Sequence, residues 1–489
     1  MCRKSAQAGV KRILYRISAC GEVTYPSKVM TVFNGDPRAG GEHYGLPGTT
    51  YVCDRLKECL ERWDPLKLTV EAGHRYGVQV WAWITLYDSY FPNLQDKYLD
   101  AHPQFWWASR DGKSFIRGVP CYAYPEVVNY RLAEAREVLA YGVDGIYYSI
   151  RSHAPWPANA SVQYGFNEPV VRAYRERYGK DPRQFRPDSL DMLRFIKFRG
   201  QYLVEFLRRV KEESKGKPLA INFSVASANP ATAERVYVDV DRLVQEGIVD
   251  EVCSLSPISD AEVARIKLLR DDSVKVTVWR NVWAWGQQVE GDPKQWHARR
   301  LARLIEDVYL SPYVDGVCLH EQLHFEVLDL YQELRRIVEQ QRAAQVEALP
   351  ARFGYVDDDR DPSKGRLSFA TRGGCAFDYK NRSVGLDLGQ AVRVGELRLF
   401  ANPPASNPWA IKDKLLSIWY SDDNKTYKRY TGPMKIERKR LASGRGLIYL
   451  KGLDLKARYV KVHYEYSGTK WSFSARRAAD LLKAYPPRE

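Results

Sequence analysis

The 489 residues are 45% hydrophobic, which is ample for more than one well-buried core. No stretch approaches the ~18 uninterrupted apolar residues of a membrane helix, so no membrane span is expected. A formal net charge of +15 fits nucleic acid, an anionic membrane surface or an acidic polysaccharide as partner. Basic residues are nevertheless dispersed among acidic ones, as from Arg172 to Arg177, in the manner of a solvated helix face, and nucleic acid is not expected. The densest basic cluster, Lys435 to Arg445, lies late in the chain beside a turn. Eight cysteines without a Cys-x-x-Cys pair do not make a disulfide framework. They favour a reducing compartment, or an exported protein that does not rely on disulfides. The N-terminal residues carry no apolar core of a signal peptide.

Taken in chain order, residues 1–340 alternate short apolar runs with long amphipathic stretches. The runs are Arg12–Ser18, Val78–Ile84, Asp144–Ile150, Leu219–Val225, Glu251–Ser256, Lys275–Val282 and Val314–Leu319. Each is short and rich in β-branched or aromatic residues, as buried parallel strands are. Helical patterns fall at Asp54–Tyr76, Glu126–Tyr141, Leu190–Ser214, Val238–Glu246, Ala261–Leu269 and Gln295–Leu310. Repeated βα units of this kind predict an α/β fold with a parallel sheet, and specifically a TIM-type (β/α)8 barrel. Only seven strands are counted where closure needs eight. Ser5–Val10 reads as the tail of a helix entering the first strand, so the expectation is a barrel lacking its first βα unit. Either the chain is truncated at its start or the barrel is incomplete, and truncation is the reading preferred.

From about Ala343 the periodicity changes. Helix Leu328–Gln341 leads into a linker, and short strand-like runs bounded by turn residues follow. They are Val384–Leu388, Val394–Phe400, Leu415–Tyr420, Gly446–Leu450 and Arg458–Tyr464. Many short strands with no helical spacer predict an all-β sandwich. The expected domains are therefore a barrel over 1–342 and a sandwich over 353–489.

Gly9–Lys28, Asp144–Ser149 and above all Gly165–Gly179, with its Gly-Phe-Asn-Glu-Pro-Val-Val and Tyr-Arg-Glu-Arg-Tyr-Gly segments, carry a family likeness. Together they resemble the glycosyl hydrolase-like family 10 group of bacterial (β/α)8 proteins, over most of 1–340. The resemblance implies a glycosidase acting on a polysaccharide or oligosaccharide, and a secreted or periplasmic location. Members commonly carry a carboxylate where this chain has Ser149, so that strand departs from the family pattern. The second domain resembles a discoidin, or coagulation-factor 5/8 type C, module through Val384–Gly389, Ser417–Asp422 with Tyr427 after it, and Arg458–His463. That likeness implies a jelly-roll-like, sugar-binding sandwich, with Trp409 and Trp471 as the aromatics to contact sugar.

Barrel enzymes carry their chemistry at the C-terminal ends of strands and in the loops beyond. Those positions hold Glu22, Tyr25 and Lys28, then Tyr87 and Asp88, then Arg151, His153, Trp156 and Glu168. Asn229, Trp283, Trp285, His320 and Glu321 complete the set. Glycoside hydrolysis uses a proton donor and an opposing carboxylate. Glu321, which directly ends the last strand, is the first choice, with a salt bridge as its bland alternative. Asp88 and Glu168 compete as its partner, although Glu168 equally suits a helix N-terminus, where the dipole favours acidic side chains. Arg16, Arg151 and Arg280 lie in or just past three strands and suit an acidic substrate through bidentate hydrogen bonds; the alternative is ion pairing inside the barrel. Trp81, Trp83, Trp279, Trp283 and Trp285 fall near strand ends; each by itself suits core packing, and as a group near the mouth they favour a glycan whose sugar faces stack on them. His320-Glu-Gln-Leu-His324 matches the zinc-peptidase pattern, but His320 directly follows a strand, whereas the motif needs both histidines on one helix face. Neither a metal nor a cofactor is expected. Three functions thus stand: glycoside hydrolase, glycan-binding barrel without cleavage and, last, a zinc metallohydrolase.

Overall fold

The structure is a computed structural model. It describes the chain apart from residues 34–48, 92–93, 271–272, 282–291, 312–313, 321–324, 327, 345–347, 357–360, 370–374, 378–382, 402–406, 442–445, 466–470, 474–481 and 488–489. All seven apolar runs of the first two-thirds are parallel strands. They are β1 Arg12–Arg16, β2 Gln79–Thr85, β3 Gly145–Ser149, β4 Leu219–Phe223, β5 Glu251–Ser254, β6 Lys275–Asn281 and β7 Gly316–His320. Their order in the sheet is their order in the chain, as right-handed βα crossovers dictate. The register sets Arg16 opposite Trp83 and Thr85 opposite Ser149. The crossovers include α1 Thr49–Arg62, α2 Pro65–Arg75, α3 Pro125–Ala140, α4 Glu168–Tyr178 and α5 Leu190–Glu213. Of these, α1 and α2 replace the single helix expected over 54–76. Pro65 has no N–H with which to continue a helix, and Asp64 instead caps the second one by accepting from Lys67 N.

Strand alternation turns every second side chain inward. Arg12, Leu14 and Arg16 of β1, Trp81 and Trp83 of β2, and Tyr147 of β3 therefore share an interior with Cys253 and Trp279. At its floor Arg12 Nη1 meets Glu251 Oε2 at 2.7 Å. Three strands separate β1 from β5 in the order, so this ion pair exists because the sheet curls into a half-barrel. Arg12 also lies 3.7 Å over the Trp81 ring, and a Cβ at Gly145 would sit 2.7 Å from that same ring. The Asp-Gly-Ile run thus needs its glycine so that Trp81 can lie flat against β3.

The chain forms two compact units. The first comprises Met1–Ser256, Leu269–Trp279 and Cys318–Gln332, and the second Pro257–Leu268, Arg280–Val317 and Glu333–Glu489. Within the second, β8 Arg352–Val356, β9 Ser383–Ala401, β10 Leu416–Ser421, β11 Lys428–Arg429, β12 Lys435–Arg440, β13 Gly446–Tyr464 and β14 Leu482–Tyr485 make an antiparallel sheet consistent with a β-sandwich. Two pairs of expected strands are continuous here. β9 and β13 run 19 residues each, absorbing irregularities between Asp387 and Val392 and between Val394 and Glu396. The basic cluster Lys435–Arg440 is itself a strand paired with β13. Several of its charges are paired locally: Glu437 pairs with Lys435 and Lys451, Arg438 pairs with Asp413, and Lys439 pairs with Glu306. Glu306 belongs to α6 Pro293–Leu310, whose last residue packs against Phe400, Leu441 and Leu447.

Candidate functional site

Three elements deliver the carboxylate of Asp88. β2 ends at Thr85 and Leu86–Tyr87 turn the chain so that Asp88 faces the end of β1 and the segment after β3. Its side chain is fully buried, with Oδ2 3.0 Å from Arg16 Nη2 and 3.1 Å from His153 Nδ1. Oδ1 accepts the His153 backbone N–H at 2.6 Å. Burial by itself would raise the Asp88 pKa, but the His153 hydrogen bond and the Arg16 charge outweigh it and hold the carboxyl below its ordinary value. Asp88 is therefore an ionised anchor with both oxygens engaged. A carboxyl held in its ionised form suits an anchor or an opposing carboxylate better than a proton donor. The Cys20 thiol lies 3.5 Å from the same His153 Nδ1.

A second cluster sits at the same strand ends. Arg151 Nη1 lies 3.3 Å from His320 Nε2, which accepts when that nitrogen is unprotonated. The Arg151 guanidinium lies 5.4 Å from the Trp279 ring, itself 4.6 Å from the His320 ring. Trp83 meets Trp279 edge-on at 5.5 Å and His320 at 5.9 Å. Arg16 closes the chain of contacts 5.5 Å from the Trp83 ring. Two arginines, two histidines and two tryptophans thus share the C-terminal end of the sheet with one carboxylate that is already neutralised.

Ser149, where the resembled family has an acid, is wholly buried. Asn222 Nδ2 donates to Ser149 Oγ at 2.8 Å and to Tyr147 OH at 3.0 Å, while Asn222 Oδ1 accepts Ile150 N at 2.7 Å. Ser149 Oγ also accepts Arg151 N at 3.2 Å. The pair fixes the turn that launches Arg151, and so positions rather than reacts.

The remaining expected residues lie as follows. Trp156 forms part of a wall, its Nε1 donating to Ser152 Oγ at 3.0 Å and its ring edge-on to Trp107 at 5.7 Å. Glu168 is the first residue of α4, largely exposed, and lies 3.8 Å from Arg183. Arg183 borders an open cleft of about 660 Å³ that also involves Arg110, Asp111 and Asp181, apart from the Asp88 cluster. Arg280 pairs with Asp307 at 3.4 Å. Glu321, His324, Trp283 and Trp285 lie outside the described residues, as does the Trp471 side chain. Cys20 is the site residue that sequence reasoning missed. Its available signal was Cys20-Gly21, a two-residue hairpin turn between Ser18–Ala19 and Glu22–Val23.

No family model matches the chain, and no curated protein does. Among solved structures, a β-galactosidase from the psychrophilic Marinomonas ef1 is 12% identical with a TM-score of 0.40, over 70% of this chain and 57% of that one. A noncanonic maltogenic α-amylase from Thermotoga neapolitana is 9% identical with a TM-score of 0.35, over 95% and 94%. The glycoside hydrolase domain of PelA from Pseudomonas aeruginosa is 13% identical with a TM-score of 0.31, over 52% and 83%. Likeness at this level assigns neither substrate nor mechanism.

Proposed function

We propose that this chain is a carbohydrate-active barrel of glycosidase type whose strand-end site takes a glycan bearing carboxylate or sulfate groups. The observation that supports this reading is the contiguous set Arg16, Trp83, His320, Arg151 and Trp279. Guanidinium forks match planar or tetrahedral oxyanions; Trp83 and Trp279 are buried in the barrel core and pack behind His320 and Arg151, so they support these groups and do not offer a stacking face. Asp88 holds Arg16 and His153 in place and is the ionised carboxylate of the catalytic pair, and Glu321, the residue after His320, serves as its proton donor. In the same reading residues 1–342 form the barrel domain of the group-10 type. Residues 353–489 form a discoidin-like sugar-binding module, with Trp409, 59% exposed, at its ligand surface.

A second reading, glycan binding without cleavage, is favoured by the engagement of both Asp88 oxygens and by Ser149 standing in place of an acid. Affinity electrophoresis and reducing-end release on a panel of neutral, uronate-rich and sulfated polysaccharides separate the two. We expect retention by acidic polymers that weakens with salt and is lost in Arg151→Gln. Turnover should be abolished in Glu321→Gln, with binding intact. Retention without reducing-end release in the unsubstituted protein establishes the second reading. Absence of retention on every acidic polymer sinks both.

A further inference from the structure

Cys20 Sγ, His153 Nδ1 and one Asp88 carboxylate oxygen come from three separate segments and lie within 4.8 Å of one another. Hydrogen bonding accounts for this convergence poorly. His153 Nδ1 faces both Asp88 Oδ2, at 3.1 Å, and Cys20 Sγ, at 3.5 Å, yet a ring nitrogen offers either one proton or one lone pair. A cation accounts for both contacts. Bonds of about 2.3 Å to sulfur and about 2.0 Å to nitrogen and oxygen, at tetrahedral angles, place an S and an N ligand about 3.5 Å apart and an N and an O ligand about 3.3 Å apart.

The donors are also held where they are. Cys20 and Gly21 have φ of +54° and +94°, and together they form a hairpin turn whose left-handed first position favours Asn or Gly. A cysteine accepted there against backbone preference marks a position chosen for its side chain. A Cβ on Gly21 would lie 2.3 Å from Asp96 N and 2.4 Å from Ser89 O, so the hairpin is seated directly on the segment that follows Asp88. His153 is fixed by its own backbone N–H to Asp88 Oδ1 and by an edge-on contact with Phe91 at 6.0 Å. Arg16 occupies one side of Asp88 Oδ2 at 3.0 Å, which leaves that oxygen a further lone pair for a cation.

We propose that Cys20, Asp88 and His153 form a binding site for a divalent transition-metal ion of the zinc class. Thiolate and imidazole favour such an ion over magnesium or calcium, and three protein ligands leave a fourth position for water or a ligand oxygen. This departs from the expectation of no metal, and it is not the His320–His324 motif.

The readout is metal binding rather than activity, so the proposal stands or falls separately from the glycan reading. Full-length protein is stripped with a chelator, desalted, and titrated with Co²⁺ and then Zn²⁺. We expect one Co²⁺ per chain with thiolate-to-cobalt charge-transfer absorption. Cys20→Ser should remove that absorption, and Cys20→Ser and Asp88→Asn should each weaken Zn²⁺ binding by at least about 10-fold. Cys59→Ser and His324→Ala should change neither. Circular dichroism checks that the variants fold, and the unsubstituted protein decides the matter alone if they do not. Absence of thiolate–cobalt absorption in the unsubstituted protein overturns the proposal, as does a site that survives Cys20→Ser and disappears in His324→Ala.

Discussion

Glu134 offers the sharpest test of the buried electrostatics. It lies wholly buried on α3, with Oε2 3.0 Å from Arg131 Nη1, and Arg131 also donates to the Thr85 carbonyl that ends β2. This guanidinium is shared among too many acids. Burial first, then Asp96 and Glu137, outweigh the attraction of Arg131 and push the Glu134 carboxyl from 4.5 up to about 7. The folded chain therefore keeps a proton between those two values that the unfolded chain has released, so stability falls as pH rises through that window. The displacement corresponds to about 3 kcal/mol, present in full below pH 4.5 and lost above about pH 7. Glu134→Gln keeps the shape and removes the titration. Urea unfolding at pH 5 and pH 8 should show the parent protein losing midpoint on going to the higher pH, and the variant losing less by an amount equivalent to about 2.5 kcal/mol, since part of the effect is already lost at pH 5. An unchanged pH dependence in Glu134→Gln would refute the reasoning, and would mean that Arg131 keeps Glu134 ionised throughout.

Three further outcomes are expected. Asn222→Leu leaves Ile150 N without its acceptor and removes the amide donor from Ser149 Oγ and Tyr147 OH, costing about 1–3 kcal/mol of stability by denaturant midpoint; it should weaken acidic-glycan retention as Arg151 loses part of its support. Gly145→Ala places a methyl 2.7 Å from the Trp81 ring and 2.8 Å from the Pro218 carbonyl, and should cost about 1–3 kcal/mol through overpacking, measured in the same way. Trp409→Ala removes an exposed indole and should leave the midpoint unchanged while reducing retention on glycan resins. A retained affinity would remove Trp409 from the sugar-contacting surface.

The curled parallel sheet was legible in the order of the residues, because a buried strand in a βα unit must be short, apolar and flanked by amphipathic helix. Those are local properties, and they placed all seven strands and nearly every crossover helix. Only α1 and α2 depart from the pattern, because the amphipathic periodicity runs on through Asp64-Pro65 while Pro65 ends one helix and Asp64 caps the next. The site was legible in part. Strand-end position was enough to nominate Asp88, Arg151, His153 and His320. Nothing local could say that Asp88 spends both oxygens on Arg16 and His153, or that Ser149 serves Asn222 and not chemistry. Period-2 alternation announces that Arg12 and Glu251 each face one side of the sheet, but not that the side is the same interior. Curling alone brings β1 to β5, and the fold alone carries a hairpin thiol at position 20 to an imidazole at 153 and a carboxylate at 88. Which elements form is decided by pattern over a few residues. Which charges neutralise one another is decided by distances between segments far apart in the chain, and only the tertiary structure sets those.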